Sequence, residues 1–389
     1  MRQSLTSLID AHNREQDNTH NTHNTHNRYI SSNINNIEYN TEYNINYNTN
    51  YNINYNTDYN TDYVNNVEER SKRVEQRYIA TTPYKVLDAP GVLNDYYLNI
   101  LDWKEDYVAI ALRESVFLYN TETTEVSEVY AMGSGYISSI KLHGDMLFIG
   151  ESIGAIRAYD MVKEEFVGER QSHYTRVGAL SANQSIITSG EKEGMIVNND
   201  LRCSKAISKF TGHTQEVCGL KWSPNKDYLA SGSNDNTVKI WKMSSPMATT
   251  LTGHSSAVKA FDWCKWKTNV LCTGGGAKDK SLRLWDVVGG KEIKRIATDS
   301  QVCTLTYLSR YKEMITSHGY QQNDLKLWKA TGGIKLIKAF GTHDSRVLHT
   351  AVNTEETSVV SLGSDESLKF WKIGESQSEK VRRSSLNIR

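Results

Sequence analysis

The stretch Leu-Lys-Phe-Trp at residues 368–371 decides the fold, because variants of it recur along the chain. Val-Lys-Ile-Trp, Leu-Arg-Leu-Trp and Leu-Lys-Leu-Trp precede it, and Val-Phe-Leu-Tyr and Ile-Arg-Ala-Tyr occur further upstream. A degenerate copy, Met-Ile-Val-Asn-Asn, lies between them. Each copy has the alternation of a half-buried β-strand. The seven copies end at Tyr119, Tyr159, Asn199, Trp241, Trp285, Trp328 and Trp371.

These ends are 40 to 44 residues apart. That is the period of WD repeats, in which four strands form each blade of a propeller. Helical periodicity is weak, and Gly, Asn, Asp and Ser separate the short β-type runs. The sequence therefore predicts an all-β fold, a seven-bladed WD-repeat β-propeller over residues 77–373. The segment Tyr84–Asp88 lies ahead of the first repeat, and we expect it to close the ring as the outermost strand of blade seven.

A second repeated pattern joins a histidine to an aspartate six residues before the tryptophan. A buried Asp is costly unless it is paired, so we expect one His–Asp pair within each of these blades. Catalytic dyads are the alternative, but one pair in each of several blades favours a structural role. Blade six has Gln322 where the Asp would stand, which predicts a different network there. The structural set is His213, Asp235 and Trp241; His254, Asp279 and Trp285; and His343, Asp365 and Trp371.

The first 76 residues form a segment of different composition. Asn-Thr-His recurs at a period of three, and then Tyr recurs at every fourth residue, usually followed by Asn. Such a tract buries too little apolar area to offset its ordering entropy, so we expect a disordered tail. His20, His23 and His26 raise the alternative of a metal site, but repeat expansion in a solvated tail is the favoured explanation. Residues 374–389 are expected to form a flexible C-terminal tail.

Composition limits the possible functions. The 45 basic and 45 acidic side chains balance, which argues against electrostatic binding to nucleic acid or to a membrane surface. No apolar run is long enough to span a bilayer, and no signal core is visible. The five cysteines form no CxxC pair, which suits free thiols in a reducing compartment. We expect no metal, no cofactor and no enzymatic activity, since neither a phosphate loop nor a nucleophile–base pair stands outside the repeats.

Several long motifs resemble the fizzy and fizzy-related family, the co-activators of the anaphase-promoting complex. Residues 93–103, for example, read Leu-Asn-Asp-Tyr-Tyr-Leu-Asn-Ile-Leu-Asp-Trp. Ile196–Asp200 and Trp263–Trp266 look more like the mitotic fizzy branch. The other matching stretches are Arg77–Pro90, Arg176–Leu180, His213–Trp222, Gly232–Asn236, Ala257–Ala260, Asn269–Gly276, Ser300–Cys303, His318–Asn323, Arg346–Leu348 and the final Ile388-Arg389.

The resemblance implies a substrate receptor that captures short degradation signals and presents them to a ubiquitin ligase during mitosis. Its implied partners are subunits of the anaphase-promoting complex, degron-bearing substrates and spindle-checkpoint proteins. Its implied location is the nucleus and cytoplasm. A generic WD-repeat scaffold that has lost ligase docking is the alternative, and an enzyme is a third reading without support in the sequence.

The resemblance also implies two degron sites. A destruction box carries an Arg followed three residues later by a Leu, and the positions that match its acidic receptor are Asp95 and Glu366. Two carboxylates from blades one and seven can clamp one guanidinium. Without the resemblance, Glu366 is a solvated turn residue and Asp95 a local turn former.

For the Lys-Glu-Asn (KEN) box, the resemblance implies a site on the top face of the propeller. Arg346 can pair with the Glu of the motif, the amides can bond its Asn and peptide groups, and Asp102 is expected to receive its Lys. Asn is also a common structural choice in tight turns, which is the alternative for the blade-four pair. The matching residues are Asp102, Asn234, Asn236, Gln322 and Arg346.

Two short elements match family segments that dock on the ligase. Ile388 and Arg389 end the chain as an apolar side chain, a guanidinium and a carboxylate, which suits capture in a pocket. The C-box, commonly Asp-Arg-(Tyr/Phe)-Ile-Pro, has its best candidate at residues 27–31, where Arg28, Tyr29 and Ile30 are kept but Asp and Pro are missing. Residues 77–79 repeat the Arg-Tyr-Ile triplet but look like the lead-in to the first strand.

Overall fold

The computed structural model describes residues 3–4, 77, 79–200, 206–242, 245 and 248–375, and these form strands and turns without a helix. The chain divides into two compact units, Met1–Gln16 with Arg77–Arg389, and Asp17–Gln76. Within the first unit, antiparallel sheets form the seven-bladed β-propeller that the repeat period predicts. No described helix could cross a membrane.

Each of blades one to three is a four-stranded sheet whose strands follow one another in sequence. Blade one contains β3 Leu101–Lys104, β4 Tyr107–Leu112, β5 Ser115–Asn120 and β6 Val126–Ala131. Blade two contains β7 Ile137–His143, β8 Met146–Glu151, β9 Ala155–Asp160 and β10 Glu165–Gln171. Blade three contains β11 Val177–Asn183, β12 Ile186–Glu191, β13 Ile196–Asp200 and β14 Ala206–Phe210.

Blades four to six repeat this arrangement. Blade four contains β15 Val217–Trp222, β16 Tyr228–Ser233, β17 Val238–Lys242 and β18 Ala248–Leu251. Blade five contains β19 Val258–Trp263, β20 Val270–Gly275, β21 Ser281–Asp286 and β22 Lys291–Ala297. Blade six contains β23 Gln301–Leu308, β24 Glu313–Gly319, β25 Asp324–Lys329 and β26 Lys335–Thr342.

Blade seven joins the two ends of the propeller, as predicted from the segment ahead of the first repeat. Its strands β27 Val347–Val352, β28 Ser358–Gly363 and β29 Ser367–Lys372 are completed by β2 Lys85–Asp88, which pairs antiparallel with β29. The first strand of each blade contacts that of the next, and β27 contacts β3, so the ring is closed. Closure leaves no blade with a missing outer strand.

The expected disorder of residues 1–76 needs one correction. Gln3–Ser4 forms strand β1, which pairs in parallel with β2 and extends blade seven to five strands. An outer strand exposes unpaired backbone groups along its free edge, and any short extended segment can satisfy them. The composition of the tail gave no sign of this strand. The His and Tyr repeats lie outside the described residues.

A four-residue hydrogen-bond chain fixes the blades that carry the expected His–Asp pair. In blade seven Trp371 Nε1 donates to Ser361 Oγ over 2.8 Å, and Ser361 lies 2.7 Å from His343 Nε2. His343 Nδ1 lies 3.0 Å from Asp365, whose pKa is lowered because hydrogen bonds from His343 and Ser367 outweigh its desolvation. The matching chains are Trp241, Ser231, His213 and Asp235 in blade four, and Trp285, Thr273, His254 and Asp279 in blade five.

Blade six builds a different network, as its Gln322 predicts. Trp328 Nε1 donates to Thr316 Oγ1 over 2.8 Å, and that hydroxyl lies 2.7 Å from Nε2 of His318, a residue of β24. Burial lowers the pKa of His318 to about 3, so the imidazole is neutral. A histidine from the second strand therefore takes the place of the loop histidine. The apolar core lies between blades; Ile240 of blade four and Phe261 of blade five, for example, share one buried cluster.

Candidate functional site

The first strands of the seven blades surround a central channel. Antiparallel pairing places the turns between second and third strands on one face, together with the connections that enter each blade. We call this the top face; residues 234–237 of blade four lie on it. A cavity of about 160 Å³ in the channel is lined by Asp102, Lys141, Lys221 and Lys259, among others.

A segment that we call the strap, residues 93–99, runs across the top mouth of this channel into blade one. It contacts all six other blades close to where their first strands begin. Asn94 is bonded by Arg346, and Asp95 by Arg176. The Tyr96 hydroxyl donates to the carbonyl of Val302 (3.1 Å), and the Asn99 amide donates to the carbonyls of Gly178 (2.7 Å) and Cys218 (2.9 Å). The strap therefore links blades that are remote in sequence.

Buried Lys259 and His349 hold the C-terminal end of the strap. Lys259 Nζ donates to the carbonyl of Leu98 over 2.7 Å, and His349 Nε2 contacts the same oxygen. The two side chains lie 2.8 Å apart. Burial lowers the pKa of Lys259 to about 8, and burial together with the charge of Lys259 lowers the pKa of His349 well below its usual value. The imidazole of His349 is therefore neutral beside the Lys259 side chain.

The Asp95 carboxylate, predicted to bind the arginine of a destruction box, already has partners. Its Oδ2 accepts a bond from Arg176 Nη1 at 2.7 Å, and its Oδ1 accepts one from the Tyr97 amide at 2.9 Å. Arg176 is also held by both carboxylate oxygens of Glu216, at 2.7 and 2.6 Å. Asp95 remains the most exposed of the three, with 32% of its side chain accessible.

Glu366, the other predicted destruction-box residue, lies in the exposed turn between β28 and β29. Its Oε1 accepts a bond from the backbone amide of Gly91 at 3.0 Å, 275 positions away in sequence. Its φ of 58° lies in the left-handed region, where a non-glycine residue is uncommon. Ring closure thus brings Glu366 to the segment that leads into Asp95. Their joint binding of one guanidinium stays a prediction.

Four of the predicted Lys-Glu-Asn residues lie on the top face. Asn234 accepts a bond from the Tyr97 hydroxyl at 2.8 Å and donates to Gln215 at 2.7 Å. Asn236 has a φ of 67°, which shows its part in the turn. Gln322 accepts a bond from Lys326 at 2.5 Å. The fourth is Arg346.

Arg346 enters blade seven under the strap and is only 7% exposed. Its Nη2 donates to the carbonyl of Asn94 over 3.1 Å, its Nη1 donates to the Tyr320 hydroxyl over 3.1 Å, and its guanidinium lies 4.8 Å from the centre of that ring. Its buried Nε has no hydrogen-bond partner among the residues that the structure describes. A Cβ on Gly319 would lie 2.2 Å from Arg346 Cγ, so glycine at this position leaves the room that the Arg346 side chain occupies.

Asp102 requires a correction. We expected it on the top face, but it lies within β3, three residues before the turn that joins β3 to β4, and opposite Ala109 of β4. Its Oδ2 accepts bonds from Lys141 Nζ at 2.6 Å and from the Leu142 amide at 2.9 Å. Strand alternation alone could not show how far along the channel Asp102 lies, because the positions of the turns determine this.

The proposed ligase-docking residues Arg28, Tyr29, Ile30, Ile388 and Arg389 lie outside the described residues. Arg77 and Ile79 of the second Arg-Tyr-Ile triplet contact blade six. Arg77 Nη2 donates to Glu313 over 2.5 Å, and its guanidinium lies 3.5 Å from the centre of the Tyr311 ring. Ile79 is buried.

Sequence reasoning assigned no role to Arg176, Glu216, Lys259 or His349. Their signal was present, since each lies at or just before the beginning of a first strand, where apolar residues are usual. Arg176 and Glu216 are 40 positions apart, one repeat. Two residues of opposite charge that lie one repeat apart therefore predict an ion pair between neighbouring blades.

Comparison with known proteins agrees with this architecture. The profile of the CDC20/Fizzy WD40 domain matches residues 87–371. The anaphase-promoting complex subunit cdc20 of Dictyostelium discoideum is 38% identical over 321 residues, covering 80% of this chain and 64% of that protein. The WD repeat-containing protein slp1 of Schizosaccharomyces pombe is 37% identical over 77% of this chain and 62% of its own length. The matched region thus spans less than two thirds of these relatives.

Two further matches cover the propeller. The APC/C activator protein CDH1 of Saccharomyces cerevisiae is 36% identical over 317 residues, which are 80% of this chain and 55% of that protein. A chain in a crystal structure of the mitotic checkpoint complex superposes with a TM-score of 0.74 at 37% identity, covering 76% of this chain and 95% of that one.

Proposed function

Because the chain belongs to the CDC20/Fizzy family of WD40 proteins, we propose that it is a substrate-recognition co-activator of the anaphase-promoting complex, a ubiquitin ligase. In this role it binds proteins and leaves the ubiquitin chemistry to the ligase. Its partners would be ligase subunits, degron-bearing substrates and spindle-checkpoint proteins, and its location the nucleus and cytoplasm.

The arrangement of charged groups around the strap carries this proposal. Asp95 and Glu366 offer carboxylates to a basic peptide at the seam of blades one and seven. Arg346 offers a guanidinium to an acidic peptide a short distance along the strap. The amides of Asn234 and Gln322 lie on the same top face. Peptides with an Arg-x-x-Leu motif and peptides with a Lys-Glu-Asn motif carry the complementary groups.

A reading as a general interaction scaffold differs from this proposal in one measurable property, docking on the ligase. The full chain, produced with an affinity tag at its N-terminus, should recover subunits of the anaphase-promoting complex from mitotic cells. Deletion of Ile388 and Arg389 should reduce this recovery strongly. Arg383→Ala provides a matched control, because it removes one tail guanidinium and keeps the terminal pair.

The outcomes separate the two readings. Recovery that depends on the terminal pair supports the co-activator. If ligase subunits are absent from the full-chain sample while other proteins are recovered, the scaffold reading replaces it. Arg28→Ala then tests the degenerate C-box in the same assay, with Arg14→Ala as its control.

A further inference from the structure

Arg176, Glu216 and Asp95 form a three-residue charge cluster beside the strap. Arg176 lies in the connection between blades two and three, Glu216 in that between blades three and four, and Asp95 on the strap itself. Arg176 makes a bidentate pair with Glu216 and uses its remaining Nη1 for Asp95 at 2.7 Å and the Tyr136 hydroxyl at 3.2 Å. Every nitrogen of the guanidinium therefore has a partner.

Burial differs sharply within this cluster. Glu216 is 6% exposed and Arg176 13%, and the two side chains are bonded to each other inside the protein. Asp95 is 32% exposed. Burial disfavours the charged form of Arg176, but hydrogen bonds and charge from Glu216 and Asp95 outweigh it, and the pKa of Arg176 is raised. The guanidinium is therefore a fixed charge under all physiological conditions.

Two carboxylates against one guanidinium leave the cluster with a net charge of about −1. Because Glu216 and Arg176 are buried against each other, the uncompensated negative charge is presented at Asp95. A carboxylate has about four lone-pair positions, and Asp95 uses one on each oxygen, toward Arg176 and toward the Tyr97 amide. The carboxylate is thus held in one orientation with acceptor capacity to spare.

We propose that Arg176 and Glu216 are positioning residues for the destruction-box site: Arg176 orients the Asp95 carboxylate toward an incoming guanidinium, and Glu216 keeps the site attractive to a cation. The inference rests on the proposed function, because it assigns a mechanism to the same site. It predicts that two residues which touch no peptide determine the preference for arginine in the ligand.

The test is a titration of a fluorescent Arg-x-x-Leu peptide, and of the same peptide with Gln for its Arg, against the full-length protein. Arg176→Lys keeps the charge but loses the bidentate geometry, and it should weaken the Arg peptide about tenfold. Glu216→Gln makes the cluster neutral, and it should weaken the Arg peptide by a similar factor and reduce the salt dependence of binding. Neither variant should change the weak binding of the Gln peptide.

A double-mutant cycle shows whether Arg176 acts through Asp95. In the Asp95→Asn background, Arg176→Lys should have no further effect, because the oriented carboxylate is already gone. Arg157→Lys is the matched control, since Arg157 pairs with Glu151 over 2.6 Å in blade two without contacting the strap. It should leave affinity for both peptides unchanged. A Lys-Glu-Asn peptide reports general damage to the top face, and its affinity should stay within about twofold of wild type.

Three results overturn the inference. One is wild-type affinity in both Arg176→Lys and Glu216→Gln. Another is an equal loss for the Arg and Gln peptides, and the third is a full Arg176→Lys effect in the Asp95→Asn background. These outcomes leave the proposed function standing if Asp95→Asn alone weakens the Arg peptide. Failure of the wild-type protein to bind either degron peptide overturns the proposed function, and this inference with it.

Discussion

Arg346 Nη2 and the carbonyl oxygen of Asn94 lie 3.1 Å apart, so blade seven holds the strap through one buried guanidinium. Tyr97 makes the corresponding contact on the other side, to Asn234 of blade four. Arg346 and Asn234, both proposed for Lys-Glu-Asn recognition, therefore also fasten the strap, and Asp95 lies between these two contacts. Both candidate degron sites share this short segment.

Replacing Arg346 by Ala should weaken binding of a Lys-Glu-Asn peptide by roughly 2 kcal/mol, about 30-fold, because a buried partner for its carboxylate is lost. A destruction-box peptide should bind nearly as well as before, because Asp95 keeps its own bond from Arg176 and the Tyr97–Asn234 contact still fastens the strap. Fluorescence titration of both peptides gives the comparison. Arg310→Ala serves as control, because Arg310 lies 5.3 Å from the Tyr311 ring, away from the strap. Equal losses for the two peptides would indicate a folding defect instead.

Asp95→Ala and Glu366→Ala should each lower the affinity for a destruction-box peptide substantially. The double variant should lose less than the sum, since both act on one guanidinium. Asp365→Ala should have a different effect: the neighbouring Asp365 belongs to the His343 network, and its loss should lower the free energy of unfolding by roughly 3 kcal/mol. Thermal melts beside the titrations separate these effects. Wild-type affinity in the double variant would contradict the transfer of this site from the family.

Removal of residues 1–90 should destabilise the whole propeller. The deletion takes away β2, exposes the edge of β29 and removes the contacts of Leu87, which is fully buried. Removal of residues 1–76 is the control, because it keeps β2 and loses only the two-residue strand β1. Differential scanning calorimetry should show a much lower melting temperature for the longer deletion alone. A cooperative melt unchanged by it would mean that β2 does not close the ring.

Stability should fall as the pH drops below about 6.5, and His318 should contribute to the fall. Its pKa is about 3 in the folded protein against roughly 6.5 when unfolded, so between these values the unfolded chain binds more protons. The stabilisation is complete above pH 6.5 and is lost progressively toward pH 3. Urea unfolding of the wild type should lose roughly 2 kcal/mol more between pH 7 and 5 than His318→Gln does. If the unfolding free energies of the wild type and His318→Gln changed equally with pH, His318 would not titrate in this way.

The repeat gives the fold directly because the determinants are local. Trp371, Asp365 and their counterparts recur at fixed offsets, and the same spacing places the closing strand before the first repeat. The different network of blade six was also predicted from the sequence, because Gln322 replaces the Asp. The sequence did not predict that His318 would replace the loop histidine. The strap contacts could not be derived this way. Arg176 and Asp95 are 81 positions apart, and their contact depends on how the ring curves rather than on any period.

Ring closure by β2 also orders events during synthesis. Lys85 pairs with Phe370, so at about 5–20 residues per second the partner strand appears roughly 15–60 s after β2 has been translated. During that time β2 lacks its partner strand β29, and six blades form from the chain that follows it. Contacts of such high sequence separation are slow to form. The nascent chain therefore stays prone to aggregation until β29 has been made, and an early stop anywhere upstream of β29 releases a polypeptide that cannot close its ring.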